Sequence, residues 1–245
     1  MNRFFILGLI LIILSSFISK KKIDPETLNN YNLRGKVKLC YEIKQLVINS
    51  GTDSLLIIDS TMFDWIETSE LHFSKRGLLN KARYHLGVDS STNYYTWYIE
   101  RTNLGKFKYE IGRDCCIDNH APTIIKIINN SDNFIALKQI DNRDTTFIYC
   151  SYYNGMKNCI NILNTNFDTI TTGVYMYDEN NYLAEMIFYD KKDSTQRRYI
   201  NKYLEFDNRG NWIRKIEFQH YTNILNNKVY ESEVKLLCTR KLIYY

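Results

Sequence analysis

The chain is poor in proline and glycine, with 2 and 10 of these residues among 245. This scarcity excludes a proline-rich linker or a low-complexity stalk as a large part of the molecule. Positive charge is not concentrated either, because the net charge of +5 is spread along the sequence. A nucleic-acid-binding protein usually gathers its positive charge into a patch and carries a recognisable motif. The sequence has neither, so we predict no nucleic-acid partner.

The sequence also lacks the short motifs of common catalytic and phosphate-binding sites. It has no glycine-rich phosphate loop and no Gly-x-Ser-x-Gly elbow. The acidic stretches at residues 141–144 and 178–181 do not have the ligand spacing of a calcium loop, and turn chemistry explains both. We therefore predict that the protein is not an enzyme and needs no metal and no cofactor.

Tyrosine, in contrast, is abundant, with 20 residues, and hydrophobic residues make up 44% of the chain. Tyrosine favours β-strands, because its apolar ring and polar tip suit a half-buried surface. No segment of ten or more residues shows a helical apolar stripe, whereas apolar and polar residues alternate over residues 36–44, 106–111 and 212–218. The pattern predicts an all-β fold, an antiparallel meander forming a curled sheet or a sandwich.

The alternation also predicts which side chains face solvent. In the first stretch Tyr41 and Ile43 lie on the apolar side, and Glu42 lies on the charged side. In the last stretch Lys215 and Glu217 alternate with apolar residues in the same way. A strand with one buried and one wet face normally points its apolar side inward. We therefore expect these charged side chains to be exposed.

The N-terminus has the pattern of an export signal. A short basic segment precedes the apolar residues 4–14, and a lysine triplet follows at 20–22. This length fits the apolar core of a secretory signal peptide. We predict a signal at 1–19, a linker at 20–35, a β domain at 36–245 and a periplasmic or secreted location. The alternative is anchoring by an uncleaved N-terminal helix, which would be the chain's one membrane contact.

Three segments share a turn pattern, with an aromatic residue before three polar residues, then glycine or asparagine, then an apolar residue within two positions. Gly77, Asn181 and Gly210 occupy the glycine or asparagine position. The pattern predicts a type I turn followed by a residue with positive φ, which joins the strands of a hairpin. Asp178 and Asp207 can accept hydrogen bonds from the amides of their own turns. The domain would then be built of hairpin repeats.

The segments at 177–178 and 206–213 resemble the aromatic–Asp–x–x–Gly–Asn units of YD (Rhs-type) repeats. They are still more similar to the degenerate units of uncharacterised secreted proteins of Bacteroidetes-type bacteria. Residues 33–38 and 240–245 also resemble the two ends of those proteins. The resemblance covers about half the chain. It implies an extracytoplasmic β-sheet protein and assigns no activity to any residue.

Six cysteines are present, and an even number in an exported protein permits disulfides. Asn154 and Gly155 form a strong hairpin signal. A two-residue turn there would bring Cys150 and Cys159 opposite each other at a separation that a disulfide can span. We predict this bridge, with two small buried apolar residues as the alternative. The sequence does not choose partners for the remaining cysteines, Cys40, Cys115, Cys116 and Cys238.

Two candidate sites remain. Cys116 and His120 lie in the densest cluster of reactive side chains, where a plain loop or a disulfide is the preferred interpretation, and a thiolate–imidazole pair or a metal site is the alternative. A strand at 94–98 places aromatic residues on both faces; one set could stack on a sugar or contact a protein, and the alternative is that both faces are buried. The residues of this weak binding site are Tyr94, Tyr95, Trp97 and Tyr98.

The preferred function is a non-enzymatic module, exported or associated with the cell envelope, that binds an envelope protein or a glycan. A hydrolase or thiol enzyme near Cys116 and His120 is one alternative. A toxin-immunity or accessory protein is the other.

Overall fold

The computed structural model describes residues 31, 33–49, 55–57, 66–86, 94–101, 107–114, 123–131, 133–141, 144–225 and 228–245. These residues form an all-β structure, which confirms the predicted fold class. Within this part of the chain no helix is long and apolar enough to cross a membrane. The predicted signal at 1–19 lies outside the described residues.

The strands follow one another along the chain with short connections. They are β1 (Val37–Asn49), β2 (Leu55–Ile57), β3 (Ile66–Phe73), β4 (Leu79–Leu86), β5 (Tyr94–Arg101), β6 (Phe107–Asp114), β7 (Thr123–Ser131), β8 (Phe134–Asp141), β9 (Asp144–Tyr153), β10 (Met156–Leu163), β11 (Thr169–Tyr177), β12 (Leu183–Asp190), β13 (Thr195–Phe206), β14 (Trp212–Leu225) and β15 (Lys228–Tyr244).

All the strands belong to one antiparallel sheet, and from β3 to β15 each strand pairs with the next. The first strand pairs with β3 along one edge and with β15 along the other. The meander is therefore curled so far that the last strand returns to the first. We call the β1–β15 pairing the seam. The short strand β2 pairs with the far end of β1.

The predicted turn geometry is confirmed at all three repeats. Gly77, Asn181 and Gly210 have φ of 76°, 64° and 76°. In each turn this residue donates its amide to the carbonyl three positions earlier, which closes the type I turn. The side chains of Asp178 and Asp207 accept two amide hydrogen bonds each from their own turns. The family resemblance stays a prediction.

Every second residue of each strand points to the same face of the sheet. We call the face that carries the fully buried Cys40, Ile135 and Cys238 the inner face. Across β7–β10 this face carries an apolar cluster. A cluster around Ile135 and Leu137 packs there against isoleucines of the adjacent strands. A smaller apolar cluster, formed by Val47, Ile216, Leu237 and Phe218, lies on the other face, which we call the outer face.

The prediction of which side chains face solvent is wrong around the seam. Lys215 and Glu217 are only 7% and 4% exposed, whereas Tyr41 and Ile43 are 37% and 40% exposed. Glu42 lies on the inner face opposite Arg240 of β15. The alternation is as expected, but its polar side points inward, because the charged side chains find partners on neighbouring strands.

The predicted disulfide is also wrong. The Asn154–Gly155 turn forms as expected, with φ of 51° and 77°. A register shift between Lys157 and Cys159 then moves the pairing by one residue, so that Cys150 lies opposite Ile160. Because a one-residue slip exchanges the two faces of a strand, Cys150 and Cys159 point to opposite sides of the sheet. Both thiols are free.

The end of the segment predicted to be a linker is part of the core. Leu33 is 2% exposed and belongs to a cluster with Val37, Cys40, Leu71 and other side chains of β3–β5. The ring of Tyr31 packs edge-on against Phe73, with the ring centroids 5.7 Å apart. The described part of this segment therefore packs against the same end of the sheet that carries the three repeat turns.

Candidate functional site

A buried network of charged side chains connects the strands on both sides of the seam. Arg240 of β15 donates a hydrogen bond from Nε to Glu42 of β1 at 2.8 Å, and these side chains are 7% and 12% exposed. The guanidinium lies 3.5 Å from the ring centroid of Trp212. On the next pairing, Lys44 of β1 lies 3.4 Å from Glu67 of β3. The Glu42–Arg240 ion pair therefore crosses the seam inside the sheet, and the Lys44–Glu67 pair joins β1 to its other neighbour.

The network continues onto β13 and β14. The Lys215 ammonium donates to Oδ1 of Asn201 at 2.6 Å and to Oε2 of Glu217 at 3.1 Å. Gln219 donates to the other oxygen of Glu217 at 2.7 Å, and Tyr221 donates to Gln219 at 2.7 Å. Asn201 of β13 and four side chains of β14 thus form one hydrogen-bonded chain. Each charged group in it has an opposite charge within reach.

The electrostatics favour the charged forms of these groups. Burial raises the pKa of Glu42, but the Arg240 guanidinium, with help from Lys215 and Lys44, brings it below its ordinary value. Burial likewise raises the pKa of Glu217, and Lys215 and Lys44 together reverse this and lower it. Burial lowers the pKa of Lys44, whereas three glutamates around it raise the pKa well above its usual range. Glu42, Glu217 and Lys44 are therefore charged at neutral pH.

The thiols beside the network are inert. Burial raises the pKa of Cys40 to about 12, and Arg240 lowers it only in part. Burial raises the pKa of Cys238 to about 12 as well. On the apolar half of the inner face burial also raises the pKa of Cys150. Since the thiolate is the reactive form, these three cysteines are packing residues and not nucleophiles.

A second polar cluster closes the end of the sheet at the repeat turns. The side chain of Asn211, which is fully buried, accepts a hydrogen bond from the Arg34 amide and donates to the Arg34 carbonyl at 3.1 Å. Asp207 accepts from Asn211 at 3.2 Å and from the Tyr244 hydroxyl. The Arg209 guanidinium lies 3.9 Å from the centroid of the Tyr244 ring. The cluster joins both ends of the described chain to one turn.

A row of aromatic rings separates the ionic and apolar parts of the inner face. Tyr175, Phe188, Tyr199 and Tyr221, one from each of β11–β14, meet edge to face with centroids 5.9–6.5 Å apart. The ring of Phe188 lies over Gly173, where an added Cβ would come within 2.6 Å of it. The glycine leaves room for the ring, so the row depends on that residue.

The outer face of β13–β15 carries a groove of about 390 Å³. Its size is in the range of small-ligand sites. The lining residues are mostly polar and carry both signs of charge; they are Gln196, Arg198, His220, Tyr221, Thr222, Glu231, Ser232 and Glu233. The side chains of Tyr221 and Ser232 belong to the inner face by the alternation of the strands.

The pairings explain how these side chains meet. Gln196, Thr222 and Glu231 lie opposite one another on three neighbouring strands, and the row continues to Tyr189 of β12. Tyr189 is 48% exposed.

A second row contains Arg198, His220 and Glu233. Nδ1 of His220 lies 3.4 Å from Glu233, and Arg198 donates to Glu185 at 2.5 Å. Lys235 lies 3.5 Å from the other oxygen of Glu233. The two contacts of Glu233 are long, and Arg198 hydrogen-bonds to Glu185 through Nε alone, so these side chains keep hydrogen-bonding capacity. The groove can therefore offer donors and acceptors side by side to a polar ligand.

The structure describes only some residues of the sites predicted from sequence. The strand that contains Tyr94, Tyr95, Trp97 and Tyr98 forms as β5, and the Tyr98 side chain is 46% exposed beside Lys81, 5.7 Å from the ring centroid. The side chains of the other three aromatic residues lie outside the described set, as do Cys116 and His120. Among the described residues no group of histidine, cysteine and acidic side chains could hold a metal ion.

The sequence analysis missed both the groove and the ionic network. The groove is assembled from three strands whose lining residues each look like ordinary surface positions. One signal for the network was present: lysine and glutamate two residues apart on one strand, at 215 and 217, and again at 42 and 44. Side chains at this spacing share a face of a strand.

Comparisons with known proteins add little to this description. No family model matches the chain, and no curated protein matches it. A solved structure, a porin-like protein from Bacteroides uniformis ATCC 8492, superimposes with a TM-score of 0.47 at 10% sequence identity. The match covers 90% of this chain and 98% of that chain.

Proposed function

We propose that the protein is a non-enzymatic, exported module of the cell envelope that binds a glycan in the groove on the outer face of β13–β15. The observation that carries the proposal is the two rows of polar side chains that cross three strands, one of which continues to the exposed Tyr189. Sugar hydroxyls both donate and accept hydrogen bonds, and the groove presents both kinds of partner. An exposed aromatic ring beside them can cover the apolar face of a sugar.

The distribution of shifted pKa values supports a binding role over a catalytic one. Catalytic acids and bases usually combine a perturbed pKa with a position in a cleft. Here the described carboxyl groups with lowered pKa are Glu42, Asp207 and Glu217. None of the three lines the groove. They are held by partners inside the sheet or at its closed end.

Export is the second part of the proposal, and it rests on the N-terminal pattern of basic, apolar and lysine-rich segments. Sequencing the N-terminus of the protein recovered from its host would test it. Cleavage between residues 14 and 20 supports export. An intact N-terminus in the cytoplasmic fraction would contradict it, whereas an intact N-terminus in the membrane fraction would support anchoring.

Binding can be tested with a glycan array followed by titration of the retained sugars. Arg198→Ala should weaken binding about tenfold or more, because a hydrogen bond to a charged group contributes roughly 1.5–3 kcal/mol. Arg214→Ala is the matched control. Arg214 forms an exposed ion pair with Glu205, with 3.0 Å between nitrogen and oxygen, and it does not line the groove. Equal affinity of the two variants, or retention of no glycan at all, would contradict the proposal.

A further inference from the structure

Three buried polar side chains meet on the inner face of β13 and β14 in an arrangement that goes beyond a salt bridge. Lys215, Asn201 and Glu217 are 7%, 9% and 4% exposed. The lysine Nζ lies 2.6 Å from the carboxamide oxygen of Asn201 and 3.1 Å from a carboxylate oxygen of Glu217. An amine is thus held against a carboxamide, with a carboxylate beside it and little access for water.

The pairing of the strands produces this arrangement. Asn201 lies directly opposite Glu217, and Lys215 is two residues from Glu217 on the same face. Diagonal neighbours on adjacent strands are within reach of a long side chain. The lysine therefore reaches across to the asparagine while keeping its contact with the glutamate.

We propose that Lys215 and Asn201 become joined by an intramolecular isopeptide bond, with Glu217 carrying the proton. The inference is independent of the groove and of the glycan. It assigns to the chain a single self-modification, so it does not conflict with a non-enzymatic function.

The chemistry balances without any co-reactant. The Lys215 ammonium gives a proton to the Glu217 carboxylate, and the free amine attacks Cγ of Asn201. The carbon–nitrogen bond to Nδ2 then breaks, while Glu217 returns its proton to the departing nitrogen. One amide bond replaces another, nothing is oxidised or reduced, and one ammonia leaves. The ammonia takes up the remaining proton of the original ammonium and departs as ammonium ion.

The surroundings hold the reacting groups in place. Nδ2 of Asn201, the leaving nitrogen, donates to the carbonyl of Leu183 at 3.0 Å. The Tyr203 hydroxyl donates to the same carbonyl at 2.8 Å. This anchoring fixes the amide plane and turns Oδ1 toward the lysine. Holding two groups in reactive contact can replace a large part of the barrier to their reaction.

The charges around Glu217 keep it as a carboxylate, the form that can take a proton from the lysine. Burial raises its pKa, but Lys215 and Lys44 lower it below the ordinary value, so the residue begins as a carboxylate. The Trp212 ring, whose centroid lies 4.9 Å from Nζ, forms an apolar wall on one side of the lysine. Among the residues that the structure describes, the nearby pair of Lys44 and Glu67 has no hydrogen bond to a carboxamide and serves as a comparison within the same network.

Peptide mapping of the full-length protein, purified from its host and digested after denaturation, tests the bond. We expect a branched peptide that joins the segments containing residues 201 and 215, and an intact mass lower by one ammonia. Linear peptides with unmodified Lys215 and Asn201 would overturn the proposal. A mass lower by one ammonia with linear peptides alone would also overturn it, because a cyclic imide at Asn201 gives that result.

Variants separate the roles of the three residues. Lys215→Arg and Asn201→Ala should each abolish the branched peptide, and Glu217→Gln should abolish or strongly delay it. Lys235→Arg, on the neighbouring strand β15, should leave it unchanged. If a variant does not fold, the map of the wild-type protein still decides the question. A branched peptide that persists in Glu217→Gln at the wild-type rate would overturn the role of the glutamate.

Discussion

The inner face of the sheet has an apolar half and an ionic half, and different interactions stabilise them. Across β7–β10 the buried side chains include the apolar cluster around Ile135 and Leu137, which packs without ion pairs. Around the seam the equivalent positions hold the pairs of Glu42 with Arg240 and of Lys215 with Glu217. Both halves have the same strand geometry, so the difference lies in the side chains.

The comparison shows where the fold needs specific partners. Neighbouring strands of the apolar half are joined by short turns, and the turn geometry sets their register. The seam joins strands that are 198 residues apart at Glu42 and Arg240, so no turn can align them. A buried ion pair adds little net stability over an apolar pair, but it strongly penalises a wrong partner. We infer that the charged pairs select the register of the seam.

The largest expected effect comes from removing one charge of the seam. Arg240→Ala should lower the free energy of unfolding by about 3–5 kcal/mol, because Glu42 would remain buried without its cation. Replacing both residues, with Glu42→Leu and Arg240→Met, should cause a much smaller loss or none. Urea unfolding of the two variants measures both values.

A loss below about 1 kcal/mol for Arg240→Ala would mean that the pair behaves like a surface ion pair. The ionic half would then not depend on its charges. Stability lost equally in the single and the double variant would contradict the account as well, since the second change removes the unpaired charge.

The corresponding test of the apolar half is Ile135→Ala. The side chain is fully buried, so the substitution should cost about 3 kcal/mol through lost burial and the remaining cavity. Ile128→Ala, in the adjacent β7, is the control; with Ile128 50% exposed, we expect a change within about 0.5 kcal/mol. The loss at Ile135 should not depend on pH. A loss that grows as the pH falls would break the comparison.

Substitutions in two turns of the same type should differ by a smaller amount in the free energy of unfolding. Asn164 accepts amide hydrogen bonds from its own turn, just as Asp207 does. Asp207 is also in contact with Asn211 and Tyr244 at the closed end of the sheet. Asp207→Ala should therefore cost about 2 kcal/mol and Asn164→Ala about 1 kcal/mol. Thermal unfolding can rank the two, and the reverse order would contradict the role of the closed end.

The sequence predicts the strands and their turns well, because both depend on local chemistry. The type I turns at Gly77 and Gly210 follow from residues that are close together in the chain. The turn that begins at Asn164 was not predicted, because its residue with positive φ is Phe167, at 64°, and phenylalanine is unusual in this conformation. Local pattern shows which residues share a face of a strand but not which face is buried.

The features that could not be predicted depend on distant residues or on small irregularities. Glu42 is buried because Arg240 meets it, and nothing near position 42 announces that partner. The disulfide failed because one irregularity after Lys157 shifted the register of a correctly predicted hairpin. The groove could not be predicted because it too depends on distant residues: Gln196 and Glu231 meet only through Thr222 on the strand between them.

The ionic half should respond to pH in a defined direction. The folded-state pKa values of Glu42 and Glu217 lie below their ordinary value. Their contribution to stability is therefore complete above the unfolded pKa of about 4.3 and is lost as the pH falls through the folded values. The apolar cluster around Ile135 has no such dependence. Acid should open the seam before it opens β8 and β9.

Hydrogen exchange of the backbone amides at pH 7 and at about pH 3, corrected for the intrinsic rates, tests this most directly. We expect protection of the amides in β1 and β15 to fall far more on acidification than protection in β8 and β9. Glu42→Gln should reduce the difference between the two pH values in β1. An equal loss of protection in all four strands would contradict the claim that buried charges hold the seam.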